Sequence, residues 1–307
     1  MALLDESANG VFIIAATPFS DNGALDLASV DRMVDFYLER GANGLTILGV
    51  MGEAPKLTEE ESRAFIGRAI ARANGRPVIV GVSAPGLASI KTLAASAMDV
   101  GAAGVMVAPP GHLRSDDQIF GYFESVAETL SETPFALQDY PLATQVQIPP
   151  KVILRIVEAL PTCVMLKHED WPGLAKISAL RVASDRGARR ISILTGNGGL
   201  FLPEELERGA DGAMTGFAFP EMMVGVMKAF RAGDPERARN IFDAYLPLAR
   251  YEQQPGLGLA VRKTILAQRG AIASPALRKP SAALSSTDIA EVERLIARQT
   301  RRLREIG

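Results

Sequence analysis

The chain has 307 residues, of which 48% are hydrophobic, and its formal net charge is −2. Acidic and basic residues are interspersed, so the sequence offers no basic surface for nucleic acid, and no apolar run is long enough to span a membrane. A single cysteine excludes an internal disulfide, and two histidines argue against a metal site built from protein ligands.

Short runs rich in apolar and β-branched residues recur along the first two thirds of the chain, and each predicts a buried strand. The eight runs are residues 11–15, 45–48, 78–82, 105–108, 135–138, 163–167, 191–194 and 213–216. Segments with helical periodicity lie between them, among them residues 27–40, 59–73, 88–100 and 117–130. Strands that alternate with helices in this way indicate βαβ units and a parallel sheet.

A four-residue pattern, Gly-Ala-X-Gly, stands directly before three of the predicted strands, at 41–44, 101–104 and 209–212. Its first glycine suits the left-handed residue that closes a helix, and its second begins the strand. Three copies of one joint indicate a repeated unit, and eight units fit a (β/α)8 TIM barrel better than a doubly wound sheet. The first strand is followed by Thr17-Pro18-Phe19 and not by a glycine-rich dinucleotide fingerprint.

The last part of the chain, residues 233–307, predicts helices and no further strand. Helical periodicity covers 235–251, 257–269 and 286–302, and a loop over 273–285 precedes the last helix. We therefore expect a barrel domain over residues 1–232 and a C-terminal helical extension that packs on the barrel or on a partner subunit. Because the sequence begins without a basic leader or a secretory apolar segment, we expect a soluble cytoplasmic protein. Because it contains only two histidines and one cysteine, we expect no metal, and we expect no other cofactor.

Lys167 closes the sixth predicted strand, at the end of a barrel where active sites lie. Strand alternation puts Cys163, Met165 and Lys167 on one face, so the amine is expected among core residues. Burial disfavours a charged amine, and a neutral amine attacks carbonyl groups to form a Schiff base. The other seven lysines fall on predicted helices or loops. The alternative is a strand-end lysine that extends its amine into water.

Segments at four predicted strand ends resemble the class I aldolases that include dihydrodipicolinate synthase and N-acetylneuraminate lyase. The resemblance covers nearly the whole chain. Its four segments are Thr17-Pro18-Phe19, the GxxGE loop Gly49-Val50-Met51-Gly52-Glu53, Leu166-Lys167 and Thr195-Gly196-Asn197-Gly198.

This resemblance implies a lyase in which Lys167 forms an imine with a 2-keto acid, typically pyruvate, in a homo-oligomer (a tetramer or a dimer). The imine then acts as an electron sink for loss of a neighbouring proton or for carbon–carbon cleavage. The loop after the second strand is expected to bind the carboxylate of the keto acid through backbone N–H groups. The substrate contacts that it implies are Gly49, Val50, Met51, Gly52, Thr17, Gly196, Asn197 and Met214.

The sequence departs from the family pattern at four places. Val50 and Met51 replace hydroxyl residues, and Gln138 replaces the catalytic tyrosine of the fifth strand. The tyrosine donated by a neighbouring subunit aligns near Gly111, and an arginine that helps to bind substrate carboxylate aligns with Ala143. The usual proton relay and part of the usual carboxylate site are therefore missing from the sequence.

Gln138 and Tyr140 are two residues apart, so they face the same way if the fifth strand continues. Tyr140 would then supply a phenol close to the imine, and Gln138 would orient a substrate hydroxyl or carbonyl group. The alternative is that Tyr140 packs in the loop before Pro141. The Gln-Asp pair at 138–139 resembles 2-keto-3-deoxy-sugar-acid dehydratases, so dehydration stands beside aldol cleavage and condensation as the expected chemistry.

Several neighbouring polar residues have structural interpretations. We expect Glu53 to be a buried hydrogen-bonding brace and His168 to be a structural histidine on the strand face opposite Lys167. Glu169 and Asp170 are expected to cap the next helix, and His112 lies in a loop at the catalytic end.

Two functions outside the aldolase class remain open on the sequence. One is a phosphate-binding barrel isomerase that uses Asn197, Gly198 and Gly216 without an imine. The other is a barrel that binds a metabolite without catalysis.

Overall fold

Eight parallel strands form a closed barrel in chain order, and the last strand pairs with the first. The structure is a computed structural model that describes residues 2–171 and 173–307. The strands are β1 (Gly10–Ile14), β2 (Gly44–Ile47), β3 (Val78–Gly81), β4 (Gly104–Val107), β5 (Phe135–Asp139), β6 (Cys163–His168), β7 (Ser192–Thr195) and β8 (Gly212–Thr215). Every predicted strand is present within one residue at either end, so the predicted TIM barrel is confirmed.

Helices cover the barrel and extend beyond it. Those on the barrel are α1 (Leu27–Glu39), α2 (Glu59–Ala73), α3 (Leu87–Asp99), α4 (Asp116–Leu130), α5 (Pro141–Thr144), α6 (Pro150–Ala159), α7 (Leu174–Asp185), α8 (Leu202–Glu207) and α9 (Glu221–Arg231). The C-terminal extension consists of α10 (Pro235–Glu252), α11 (Gly258–Gln268) and α12 (Ser286–Ile306), and α10 packs on α9. Within residues 2–171 and 173–307, no helix combines the length and apolar character needed to cross a membrane.

The apolar core has two layers that follow the alternation of the strands. In β1, Val11 and Ile13 pack outward against the helices, whereas Phe12 and Ile14 join the cluster inside the barrel. Met214 belongs to the inner cluster and is fully buried. This inner layer closes the barrel below the strand ends and forms a solid floor under any site there.

An extra residue interrupts β6 near its start. The pairing of β5 with β6 shifts by one residue, so that Val164 has no partner in β5. Cys163 packs with the outer layer, whereas Val164 and Met165 both pack inside the barrel. The prediction that Cys163 shares a face with Lys167 is therefore wrong, because a bulge breaks the alternation on which it depended.

The repeated Gly-Ala-X-Gly joint has the predicted conformation. Gly41, Gly101 and Gly209 have φ values of 91°, 94° and 92°, in the left-handed region that a side chain disfavours. The fourth residue of each joint begins a strand. At Gly212 a Cβ atom would lie 1.9 Å from the backbone oxygen of Gly10, so the closure of the barrel between β8 and β1 requires a glycine.

Candidate active site

A small cavity of about 40 Å3 lies at the carboxyl ends of the strands. Its wall contains Lys167 together with Ile14, Val50, Met51, Gln138, Tyr140, Glu169, Asn197, Gly198, Thr215, Gly216, Gln253 and Arg262. A second cavity of about 1000 Å3 adjoins it on the side of β3 and β4, and Val50 and Gln138 line both. The small cavity holds about one water molecule, so a larger ligand needs part of the second cavity or a shift of side chains at the wall.

The amine of Lys167 is paired with a carboxylate. Its Nζ lies 2.9 Å from Oε2 of Glu169, and the two residues are 3% and 7% exposed. Nε2 of Gln138 donates to the same oxygen at 2.7 Å. The amine is buried as predicted, but the sequence analysis did not foresee its carboxylate partner. A carboxylate at this distance is positioned to take part in proton transfer with the amine, whose neutral form attacks carbonyl groups.

Glu169 is the residue that the sequence analysis assigned incorrectly. The helix that it was expected to cap, α7, begins after Gly173 and has no side-chain cap. Glu169 follows Lys167 by two residues and reaches the same cavity, as the alternation of an extended chain allows. Asp170 pairs instead with Lys176, at 2.9 Å. The sequence feature that could have predicted this position is the Lys-X-Glu spacing, because residues two apart in an extended chain face the same way.

Two other lysines are also buried, at 8% exposure for Lys176 and 0% for Lys263. Nζ of Lys176 lies 2.7 Å from Oδ2 of Asp139, and Nζ of Lys263 lies 2.8 Å from Oε1 of Glu53. Neither lysine lines the small cavity. Burial with a carboxylate partner is thus shared by three lysines, and only the position at the strand-end cavity distinguishes Lys167 among them.

The loop after β2 presents two unpaired backbone donors. The N–H groups of Val50 and Met51 have no acceptor among the residues that the structure describes, and both residues line the small cavity. Leu48 and Glu53, on either side of the loop, both have a φ of 54°, in the left-handed region. Two adjacent free N–H groups can bind one carboxylate.

Glu53 and Thr17 hold this loop in place from below. Glu53 is 3% exposed, accepts from Lys56 and Lys263, and accepts from the backbone N–H of Arg278. This confirms Glu53 as a buried brace. Oγ1 of Thr17 donates to the backbone oxygen of Gly52.

The profile of the dihydrodipicolinate synthetase family matches residues 7–299. The chain belongs to this family. L-2-keto-3-deoxyarabonate dehydratase of Azospirillum brasilense is 31% identical to it over 289 residues, which is 92% of each chain. 4-Hydroxy-tetrahydrodipicolinate synthase of Thiobacillus denitrificans is 31% identical over 246 residues, covering 79% of this chain and 81% of the relative. The crystal structure of dihydrodipicolinate synthase from Rhodopseudomonas palustris has a TM-score of 0.96 and 54% identity, covering 97% and 100% of the two chains.

Membership of the dihydrodipicolinate synthetase family confirms the predicted resemblance, and the protein is accordingly a lyase of the dihydrodipicolinate synthase type. Gln138, predicted to stand in place of the family's tyrosine on β5, contacts Glu169. Ala143, predicted to stand at the position of the family's arginine, is an exposed residue of α5. Both correspondences stay predictions from the sequence.

Tyr140 lines the same cavity as Gln138, although β5 ends at Asp139. Burial raises the pKa of Tyr140, the nearby Glu169 carboxylate adds to the rise, and the Arg262 guanidinium opposes it. The phenol therefore stays protonated at neutral pH and acts as a hydrogen-bond donor.

The segment after β7 packs on Glu169. A Cβ atom at Gly196 would lie 2.2 Å from Cγ of Glu169, so the glycine makes room for this side chain. Nδ2 of Asn197 donates to the backbone oxygen of Glu169 at 3.1 Å. The N–H of Gly198 donates to Oγ1 of Thr215, which leaves it unavailable for a phosphate group in this arrangement.

Five of the sequence-predicted contacts lie outside the wall of the small cavity. Gly49 lines only the larger cavity, and the other four line neither; they are Gly52, Thr17, Gly196 and Met214.

The two histidines lie apart from the small cavity as well. His168 is buried on the other face of β6, with Nε2 3.1 Å from the backbone oxygen of Gly173 and Nδ1 3.5 Å from Oδ2 of Asp139. This confirms a structural role. His112 is exposed in the loop before α4. In the described part of the chain, no group of three or more His, Cys, Asp or Glu side chains is arranged to hold a metal ion.

The C-terminal extension contributes two residues to the wall, Gln253 and Arg262. The sequence analysis missed both, because it treated the extension as packing. Arg262 is 1% exposed, and its Nε lies 2.5 Å from Oε1 of Glu252. Its Nη2 donates to the backbone oxygen of Gly216 at 2.6 Å.

Proposed function

We propose that the protein is a Schiff-base lyase that removes water from 2-keto-3-deoxy sugar acids, with Lys167 as nucleophile. The observation that carries this proposal is the carboxylate of Glu169, which lies 2.9 Å from Nζ of Lys167. It supplies a proton acceptor at a site where Gln138 stands in place of the family's tyrosine. Similarity to L-2-keto-3-deoxyarabonate dehydratase over 92% of the chain favours the same reaction class.

Imine formation needs a neutral amine and a fixed ketone. Glu169 takes the proton of Lys167, and the free amine attacks C2 of the keto acid. Glu169 then returns this proton to the hydroxyl group of the adduct, which leaves as water; the product is the protonated imine, and Glu169 is again a carboxylate. The carboxylate of the substrate accepts hydrogen bonds from the N–H groups of Val50 and Met51, which keeps C2 beside the amine.

Dehydration follows because the protonated imine is an electron sink. Glu169 removes a proton from C3, and the resulting enamine expels the C4 hydroxyl group, which leaves as water after taking a proton from Tyr140. Glu169 then returns its proton to Tyr140. Hydrolysis of the imine frees Lys167 and releases an unsaturated 2-keto acid, so that one water molecule is lost overall.

The remaining site residues position these groups. Gln138 holds Glu169 through its hydrogen bond, and Asn197 fixes the backbone at Glu169. Gly196 gives the Glu169 side chain room, and Thr17 braces the loop that binds the carboxylate. Gly49 and Gly52 belong to that loop, and Met214 lies in the apolar layer beneath the site.

A second candidate is condensation of pyruvate with an aldehyde, through the same imine. The names of the Thiobacillus relative and of the Rhodopseudomonas structure favour it. Gln138 and Ala143 weigh against it, since they stand where the synthases have the proton-relay tyrosine and a carboxylate-binding arginine.

Borohydride reduction combined with a substrate panel tests the proposal. The purified protein is incubated with pyruvate or a 2-keto-3-deoxy acid, reduced with borohydride and digested. Mass spectrometry then measures the masses of the peptides. We expect a stable adduct on the Lys167 peptide, absent in Lys167→Ala, and loss of water from the 2-keto-3-deoxy acids in the unreduced reaction. Condensation of pyruvate with aspartate semialdehyde, without any loss of water from the sugar acids, would favour the second candidate. Tight binding of a phosphorylated ligand without an adduct would rule out both.

We also propose that the protein is a homo-oligomer, a tetramer or a dimer, on the ground of family membership. Light scattering of the eluted peak in size-exclusion chromatography measures this directly.

A further inference from the structure

Arg262 carries an unsatisfied nitrogen in a buried site. Its Nε and Nη2 are paired with Glu252 and with the backbone of Gly216, but Nη1 is buried and has no acceptor among the described residues. A buried donor without an acceptor is unfavourable, because it has lost its hydrogen bonds to water. Such a cost is removed when a bound ligand supplies an oxygen atom.

Nη1 lies beside a residue that lines the cavity containing Lys167. A Cβ atom at Gly216 would be 2.0 Å from Nη1, so the nitrogen sits directly on this glycine at the end of β8. Gly216 and Arg262 both line the small cavity. The charge of Arg262 also acts on the phenol of Tyr140, across the same cavity. A ligand that is attached to Lys167 and occupies the small cavity therefore borders both Gly216 and Arg262.

The charges around the cavity decide which oxygen suits Nη1. Glu252 is fully buried, pairs with Arg262 and also accepts from the N–H of Ala218 at 3.0 Å. The Arg262–Glu252 pair is thus neutral as a whole, and so is the Lys167–Glu169 pair. A second carboxylate on the ligand would bring an uncompensated charge into this buried site, which is costly. A hydroxyl oxygen accepts the hydrogen bond without adding charge.

We propose that Arg262 is a specificity-determining residue that donates from Nη1 to a hydroxyl oxygen on the substrate chain beyond C3. The preferred substrates then carry one carboxylate, at C1, and a hydroxylated tail. This inference rests on the proposed function, because the imine with Lys167 fixes the other end of the substrate. It gives the C-terminal extension a part in substrate recognition, at a site where the family's arginine is replaced by Ala143.

Three 2-keto acids with six carbon atoms test the proposal. A 2-keto-3-deoxyhexonate, in two epimeric forms, has a hydroxylated tail; 2-oxohexanoate has an apolar tail, and 2-oxoadipate has a second carboxylate. The readout is the concentration of each acid that gives half-maximal borohydride trapping on Lys167. We expect the wild-type protein to trap the better hexonate epimer at about one tenth of the concentration needed for 2-oxohexanoate, a factor equal to about 1.4 kcal/mol. It should trap 2-oxoadipate least well.

The matched variants are Arg262→Lys and Arg269→Lys. A lysine at 262 keeps a cation for Glu252 but has no second arm to reach the cavity. We expect this variant to lose the tenfold preference for the hexonate over 2-oxohexanoate, with both acids compared in the same variant. Arg269 pairs with Glu221, away from the cavity, so Arg269→Lys should keep the preference.

The outcomes separate the two proposals. If Arg262→Lys traps pyruvate and still prefers the hexonate, the imine stands and the role of Arg262 is wrong. If Arg262→Lys does not fold, the wild-type panel still decides, since equal trapping of all three acids or a preference for 2-oxoadipate would contradict the inference. If the wild-type protein traps no keto acid at all, the proposed function is wrong and this inference is wrong with it.

Discussion

Lys167 and Glu169 form a pair whose chemistry depends on the spacing of two residues along an extended chain. The lysine could be identified from the sequence, because an apolar run that ends in a lysine at the carboxyl end of a barrel strand is unusual. The glutamate could not be assigned in the same way, because an acidic residue just before a helix is also typical of a helix start. The decisive contact, from Gln138 on the neighbouring strand, exists only after the strands are paired.

Glu169→Gln should separate imine formation from the proton transfers. The amide keeps the size of the side chain and can still accept from Gln138, but it cannot remove a proton from C3. General-base catalysis contributes about 10²–10⁴-fold, so we expect kcat for dehydration to fall by about that factor while borohydride still traps the imine, more slowly than in wild type. Steady-state kinetics and mass spectrometry measure the two effects.

The control for Glu169→Gln is Glu158→Gln, which changes an exposed carboxylate on α6 and should leave both rates unchanged. Normal dehydration by Glu169→Gln would show that another group is the base.

At the scale of elements, strands and helices were predictable because their signals are local. Apolar runs mark the strands, and the glycine joints at 41–44, 101–104 and 209–212 mark where helices end and strands begin. The bulge at Val164 was not predictable, because it is a property of the pairing between β5 and β6. The error about Cys163 follows from that one residue.

Helix α8 carries a carboxylate whose ionisation opposes folding. Burial raises the pKa of Glu205 to about 7 from its ordinary value of 4.5, although the nearby Thr195 hydroxyl lowers it. Between these values the unfolded chain has released the proton and the folded chain still holds it, so folding loses stability as pH rises. The loss is complete above pH 7 and amounts to about 3 kcal/mol.

Glu205→Gln should therefore have little effect on the melting temperature at pH 5 and should raise it relative to wild type at pH 8. Thermal unfolding of both proteins across this pH range measures the difference. Glu158→Gln again serves as a control, because its carboxylate is exposed in the folded protein. A constant difference between Glu205→Gln and wild type at every pH would contradict the assignment.

At the scale of the whole molecule, a buried ion pair and a buried hydrogen bond join the C-terminal extension to the barrel. Lys263 of α11 reaches Glu53 after β2, and Arg262 reaches the end of β8. These contacts connect residues that are 210 and 46 positions apart. Sequence periodicity identified the helices of the extension, but it carries no information about which long polar side chains cross to the barrel.

Lys263→Met should destabilise the protein by about 3 kcal/mol, because the buried Glu53 loses the one of its two lysine partners that is itself fully buried. The double variant Lys263→Met/Glu53→Gln should be less destabilised than the sum of the two single variants. Denaturant unfolding of all four proteins gives this coupling free energy. Additive effects would mean that the pair does not act as a unit.

The two left-handed residues that flank the loop after β2, Leu48 and Glu53, leave this loop few ways to relax. The N–H groups of Val50 and Met51, proposed above to bind the substrate carboxylate, belong to this constrained loop, so an anion bound there would cost the protein little conformational freedom. Inhibitors with a planar α-keto carboxylate should therefore bind to these N–H groups, whereas esters and amides of the same acids lack the negative charge and should bind more weakly.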